Sequence, residues 1–108
     1  MSDFLEDFEQ KNKERCVTVF GMTLHDWSLA EWGNALAGET GELCNILKKV
    51  KRRDFSLKEA QAAIKEEVGG IATYLDLLCQ ASGLSLKDCI KDEFNRVSEK
   101  KGTTIKLE

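Results

Sequence analysis

Apolar residues recur at helical spacing in long runs along this chain, and three short strings punctuate those runs in the same way. Ser28-Leu-Ala-Glu31, Ser56-Leu-Lys-Glu59 and Ser85-Leu-Lys-Asp88 each put a serine where it can cap a helix, with an acid three residues on. The hydroxyl accepts from an otherwise unpaired backbone N–H, and the acid complements the positive helix end. The spacing predicts helices from Ser28 to about Val50, from Ser56 to about Ala81 and from Ser85 to about Lys101. The second ends at Ser82-Gly83 and the third at Gly102, glycines that suit a left-handed cap. Phe4, Leu5, Phe8, Cys16, Val17, Val19 and Phe20 mark a further helix before a loop at Gly21 to Trp27. No alternating run requires a strand. The expectation is an all-α protein of four helices with a short polar tail.

Length and composition narrow the class. The 108 residues suit one domain, 1–108, with one core. No apolar run approaches the roughly 18 to 20 residues of a membrane span, and the acidic start lacks a signal peptide's basic and apolar parts. A cytoplasmic protein with no membrane partner is expected. A net charge of −3 gives no reason to expect nucleic acid as a partner, the basic string Lys48 to Arg53 apart. The four cysteines, Cys16, Cys44, Cys79 and Cys89, show no Cys-x-x-Cys spacing and are expected to be buried, reduced thiols. Amphipathic helices in so short a chain leave apolar faces over, so a homo-oligomer is expected, at least a dimer and by choice a tetramer.

The chemistry concentrates in Ala37-Gly-Glu-Thr-Gly-Glu-Leu-Cys-Asn-Ile46. Glu39 and Glu42 are separated by about 60° around a helix and roughly 4.5 Å along it, so both carboxylates share one side. The next helix carries Glu66-Glu67-Val68-Gly69-Gly70, and a short connection would bring Glu67 opposite the pair. Three converging carboxylates repel unless a cation neutralises them, and oxygen ligands of this kind favour Mg²⁺ or Mn²⁺. Interior glycine costs about 1 kcal/mol against alanine. Gly38, Gly41, Gly69 and Gly70 therefore suggest two backbones drawn close around a shared ion.

Gly38-Glu-Thr-Gly-Glu-Leu43, then Glu66-Glu-Val-Gly-Gly70 with Tyr74-Leu75, then Leu84 through Asn95-Arg96, resemble the MazG-like branch of the all-α nucleoside triphosphate pyrophosphohydrolases. The resemblance covers roughly Leu29 to Lys101. It implies a MazG-like four-helix bundle completed by oligomerisation. It also implies Mg²⁺-dependent hydrolysis of (deoxy)nucleoside triphosphates between the α- and β-phosphates, with nucleotide-pool cleaning as one role. Glu39, Glu42 and Glu67 match three of the family's four metal-binding acids, and the fourth falls on Gly70, with Glu66 as a stand-in one turn earlier. Tyr74 matches a tyrosine near the triphosphate, and Lys91 and Asn95 resemble lysine and asparagine contacts to substrate.

Other positions extend the site. Asn45 and Lys49 continue the Glu39/Glu42 stripe, where an ammonium would meet phosphate oxygens. Trp27 and Trp32 precede the motif at a distance that suits stacking on a base. The only histidine, His25, has no partner for a nucleophilic constellation, so general-base work falls to a glutamate of the acid cluster. A nucleotide-binding or interaction protein on the same scaffold is the alternative function, because Gly70 stands where an acid is expected.

Overall fold

The computed structural model describes residues 3–108, and these form four helices and no strand. They are α1 (Phe4–Thr18), α2 (Leu29–Lys51), α3 (Leu57–Ala81) and α4 (Leu86–Lys100). Local signals fix their ends. Ser28 and Ser56 each close a reciprocal capping box with Glu31 and Glu59, and Ser85 accepts from the Asp88 backbone N–H. Gly83 and Gly102 follow the C-caps of α3 and α4 with φ of +76° and +72°.

α2 and α3 form an antiparallel hairpin, the most extensive contact in the chain. Its pairing is set near the open end by Trp32 against Tyr74, ring centroids 6.4 Å apart, and near the middle by Glu39 and Glu42 against Glu67. α1 crosses α3, and α4 packs on α1 and α3 without touching α2. The core lies where α1, α2 and α3 meet. Cys16, Trp32 and Leu77 are buried there, with Met22, Leu24, Trp27, Tyr74, Leu78 and Ala81 packed around them. The loop after α1 closes this core from above: the Trp32 indole N–H donates to the Leu24 carbonyl at 2.8 Å.

A buried polar network joins α1 to α3. Asp76 is fully buried, and its Oδ2 accepts from Asn12 Nδ2 and from Gln80 Nε2, both at 2.8 Å. Asn12 Nδ2 also donates to the Thr73 carbonyl, and Gln80 Nε2 to the Glu9 carbonyl. Such a network holds two helices in one register, because any slip would strand a buried carboxylate.

The chain alone leaves much apolar surface outside. Its radius of gyration is 16.5 Å, against about 13 Å for a closed domain of this length. Phe4, Phe20, Val68, Ile90, Phe94 and Val97 are exposed. One expectation about the thiols is corrected here. Cys16 and Cys79 are buried and Cys89 half-buried, but Cys44 is exposed: it is on α2 well beyond Trp32, where that helix enters the core, and α3 is the helix that α2 chiefly packs against.

The α2–α3 turn carries a strained residue. Arg53 has φ of +66°, where its N–H donates to Val50 O and the next N–H, of Asp54, to Lys49 O. A side chain in this left-handed region costs about 1 to 2 kcal/mol, part of which glycine would lose again through unfolded-state entropy. Arg53→Gly is therefore expected to stabilise the chain by about 0.5 to 1 kcal/mol in chemical denaturation.

Candidate functional site

The hairpin brings Glu39, Glu42 and Glu67 together: each offers a carboxylate oxygen, and these oxygens all lie within 4.8 Å of one another. Opposite ligands of a Mg²⁺ ion stand about 4.2 Å apart, twice a bond of about 2.1 Å. Small side-chain rotations would therefore close the three oxygens on one ion. Glu67 Oε2 is sealed from solvent and receives no hydrogen bond. An ionised oxygen in that position is costly, so it calls for a proton or a cation. Without a cation, the proton wins over a wide range. Glu67 is pushed up to about 7 from the ordinary 4.5, first because its proton can be shared with Glu39, then through desolvation and the Glu42 charge.

Gly70 is explained by the same cluster. A Cβ built on it would lie 2.9 Å from Glu39 Oε2 and 3.2 Å from Glu39 Cδ, so the Glu39 carboxylate occupies the space a side chain would need. The close approach at this glycine is thus between a backbone and a carboxylate. Gly38, Gly41 and Gly69 have nothing within 4 Å of a built Cβ, so the expectation that all four glycines draw two backbones together does not hold. Glu66 is exposed and falls outside the acid cluster.

Gly70 is also part of the wall of a cavity of about 450 Å³ between α1, the loop after it, α2 and α3. Trp27, Trp32 and Tyr74 line it together with Phe20, Asn12 and Arg15. The volume is within the range of small-molecule sites. Trp27 and Trp32 stand 4.6 Å apart at their centroids, inclined by 50°. Trp32 is also a core residue, 2% exposed, so it serves as fixed wall.

The other expected positions are distributed more widely. Asn45 is exposed and Lys49 half-buried, further along α2 towards its C-terminus. Lys91 and Asn95 are on α4, which makes no contact with α2. Both ends of the Asn95 amide are taken by the tail: Nδ2 donates to Leu107 O at 2.9 Å, and Oδ1 accepts from Leu107 N at 2.7 Å. One chain therefore unites Glu39, Glu42 and Glu67 beside Trp27, Trp32 and Tyr74, and leaves Lys91 and Asn95 elsewhere.

Sequence reasoning missed Asn12, Arg15 and Asp76. Asp76 did carry a signal, a lone acid within Tyr74-Leu-Asp-Leu-Leu78, whereas Asn12 and Arg15 are in a helix too polar to reveal its inner face. Compared with known proteins, the chain matches no family model, no curated protein and no solved structure.

The acid cluster predicts a pH effect of definite sign. A carboxyl whose pKa is raised by folding stabilises the fold below its unfolded value, and that contribution is lost as pH rises through the folded value. In chelator, the wild type should lose stability between about pH 4.5 and 7 relative to Glu67→Gln, in which that loss is absent. Denaturant titrations across this range would check it. A second expectation concerns Gly70. Gly70→Ala should push the Glu39 carboxylate out of the cluster and weaken Mn²⁺ binding about tenfold, roughly one lost charged contact, by calorimetric titration.

Proposed function

We propose that this chain is a Mg²⁺-dependent nucleoside triphosphate pyrophosphohydrolase of the MazG-like kind, working as a homo-oligomer. What carries the reading is one juxtaposition: Gly70 belongs to the wall of an aromatic cavity and, on the same helix face, receives the carboxylate of Glu39 from the acid cluster. A base held between Trp27, Trp32 and Tyr74 would direct its phosphates towards Glu39, Glu42 and Glu67. Neighbouring binding sites for a planar ring and for a cation are what a nucleotide enzyme requires.

Glu39, Glu42 and Glu67 would hold the cation, and the donor set fits it: three carboxylate oxygens in reach of one ion, one of them sealed and without a donor. A bound Mg²⁺ supplies neutralisation of phosphate charge and acidifies water. The chain's own residues do the rest. The aromatic walls orient the base and so fix the α-phosphate. A glutamate of the cluster takes a proton from the water that attacks the α-phosphorus, and the bond to the bridging oxygen breaks to release pyrophosphate. Lys49, on the same helix as Glu39 and Glu42, would counter the leaving charge. Lys91 and Asn95 would join such a site only from a neighbouring subunit, which fits the open shape and exposed apolar faces of the single chain. Gly70 in place of a fourth acid favours the rival, a nucleotide-binding protein that does not turn over.

The test is incubation with Mg²⁺ and each triphosphate, following monophosphate and pyrophosphate. Equal amounts of both are expected, with turnover lowered by roughly 10²-fold or more in Glu39→Gln, Glu42→Gln and Glu67→Gln and unchanged in Glu99→Gln. Binding without turnover would give the case to the rival. Sedimentation should find no stable monomer at micromolar concentration.

A further inference from the structure

Among the residues that line the aromatic cavity, Arg15 is the one that carries a full charge, and the proposed hydrolysis gives it no role. It is exposed, and it pairs with no carboxylate among the described residues. Its charged end is located by Phe20: the guanidinium Cζ lies over that ring, 5.9 Å from the centroid. Arg15 also borders two other hollows, one lined by residues 8–19 alone and one between α1, α3 and α4, but Phe20 is in the wall of neither. The guanidinium is therefore beside the aromatic cavity, at a mouth formed with the exposed Phe20.

The register of α1 on α3 places Arg15 at one end of that cavity. Gln80 donates to the Glu9 carbonyl, while Asn12, three residues along α1, donates to the Thr73 carbonyl and to Asp76. α1 thus runs antiparallel to α3, and its next turn, with Arg15, comes opposite the stretch that leads up to Thr73. Gly69 and Thr73 accordingly share a hollow with Arg15, and Gly70 shares the cavity with it. This is the end at which Gly70 meets the Glu39 carboxylate.

We propose that Arg15 is a phosphate-binding residue of this site, a cation at the mouth of the aromatic cavity that grips the substrate's phosphates from the α1 side and so selects nucleotides over nucleosides. The proposal rests on the reading of the cavity as a nucleotide site. Three carboxylates with one divalent ion still sum to a negative charge, and phosphates bring more. A phosphate drawn towards Glu39, Glu42 and Glu67 is therefore repelled unless a further cation faces it. A guanidinium stays charged at any working pH and offers a planar fork of N–H donors that matches two phosphate oxygens. Phe20 steadies that fork through its ring face, which occupies none of the donors.

The two tryptophan indole N–H signals in ¹H–¹⁵N spectra report binding at this cavity. Each common deoxynucleoside and its α,β-methylene triphosphate are titrated in Mg²⁺, the carbon bridge in the analogue preventing hydrolysis. Arg15→Gln should weaken the analogue about tenfold or more, the loss of a charged hydrogen-bonded contact, and leave the nucleoside unchanged. Arg15→Lys keeps the charge without the fork and should fall between the two. Lys13→Gln removes a charge from an exposed position of the same helix, outside the cavity wall, and should keep wild-type affinity for both. Unchanged analogue affinity in Arg15→Gln, or an equal loss for nucleoside and analogue, overturns the proposal. So does an equal loss in Lys13→Gln, which would mean general attraction without contact. Hydrolysis of true triphosphates by the wild type, with the analogue bound as tightly by Arg15→Gln, would overturn it while leaving the hydrolase reading intact. A selective loss in Arg15→Gln, with true triphosphates bound and never hydrolysed, would do the reverse.

Discussion

Three carboxylates whose mutual repulsion calls for a proton or a counter-charge set the terms for this molecule. Glu39 and Glu42 approach from α2 and Glu67 from α3, and one oxygen of Glu67 is sealed without a donor. The hairpin that brings them together is the longest contact in the fold, so its packing works against their repulsion. A proton on Glu67 relieves part of it, and a divalent cation would relieve it more fully. The absence of a side chain at Gly70 follows, because Glu39 needs that space to reach the cluster.

The same glycine links the acids to the cavity. α3 turns Glu67 to the acid cluster, Gly70 to both the cluster and the cavity, and Tyr74 to the cavity, positions three and four residues apart on adjoining helix faces. Asp76, on another face of α3, holds α1 through Asn12 and Gln80. α3 thus contributes one residue each to the acid cluster, the aromatic wall and the polar clamp: Glu67, Tyr74 and Asp76. Displacement along α3 would disturb all three together.

Much of the fold was legible in the sequence because its signals were local. Serine caps with acids three residues on mark the starts of α2, α3 and α4, and glycines mark the ends of α3 and α4. The acid cluster was legible for a related reason: Glu39 and Glu42 share a helix face by spacing alone, and a short connection leaves α3 little choice but to return beside α2. What was not legible depends on contacts between distant segments. No pattern around Gly70 announces that Glu39 lies over it. Asn12 is surrounded by lysines and glutamates, which gives no hint that its amide reaches α3. The placement of α4 against α1 and α3 also required the tertiary structure, since the amphipathic pattern of α4 fixes its apolar face and not its neighbours. Lys91 and Asn95 therefore share the chain with the acid cluster without sharing its location.

The central claim is that one divalent cation binds among Glu39, Glu42 and Glu67, beside the aromatic cavity. Substoichiometric Mn²⁺, followed by paramagnetic broadening in ¹H–¹⁵N spectra, tests it without recourse to activity. The account predicts broadening centred on the backbone amides of Glu39, Glu42, Glu67 and Gly70, reaching the indoles of Trp27 and Trp32 more weakly, in a pattern that Mg²⁺ in excess reverses. Broadening centred instead on other acids, such as Asp3 and Glu6 of α1, or spread evenly over the acidic surface, would contradict it.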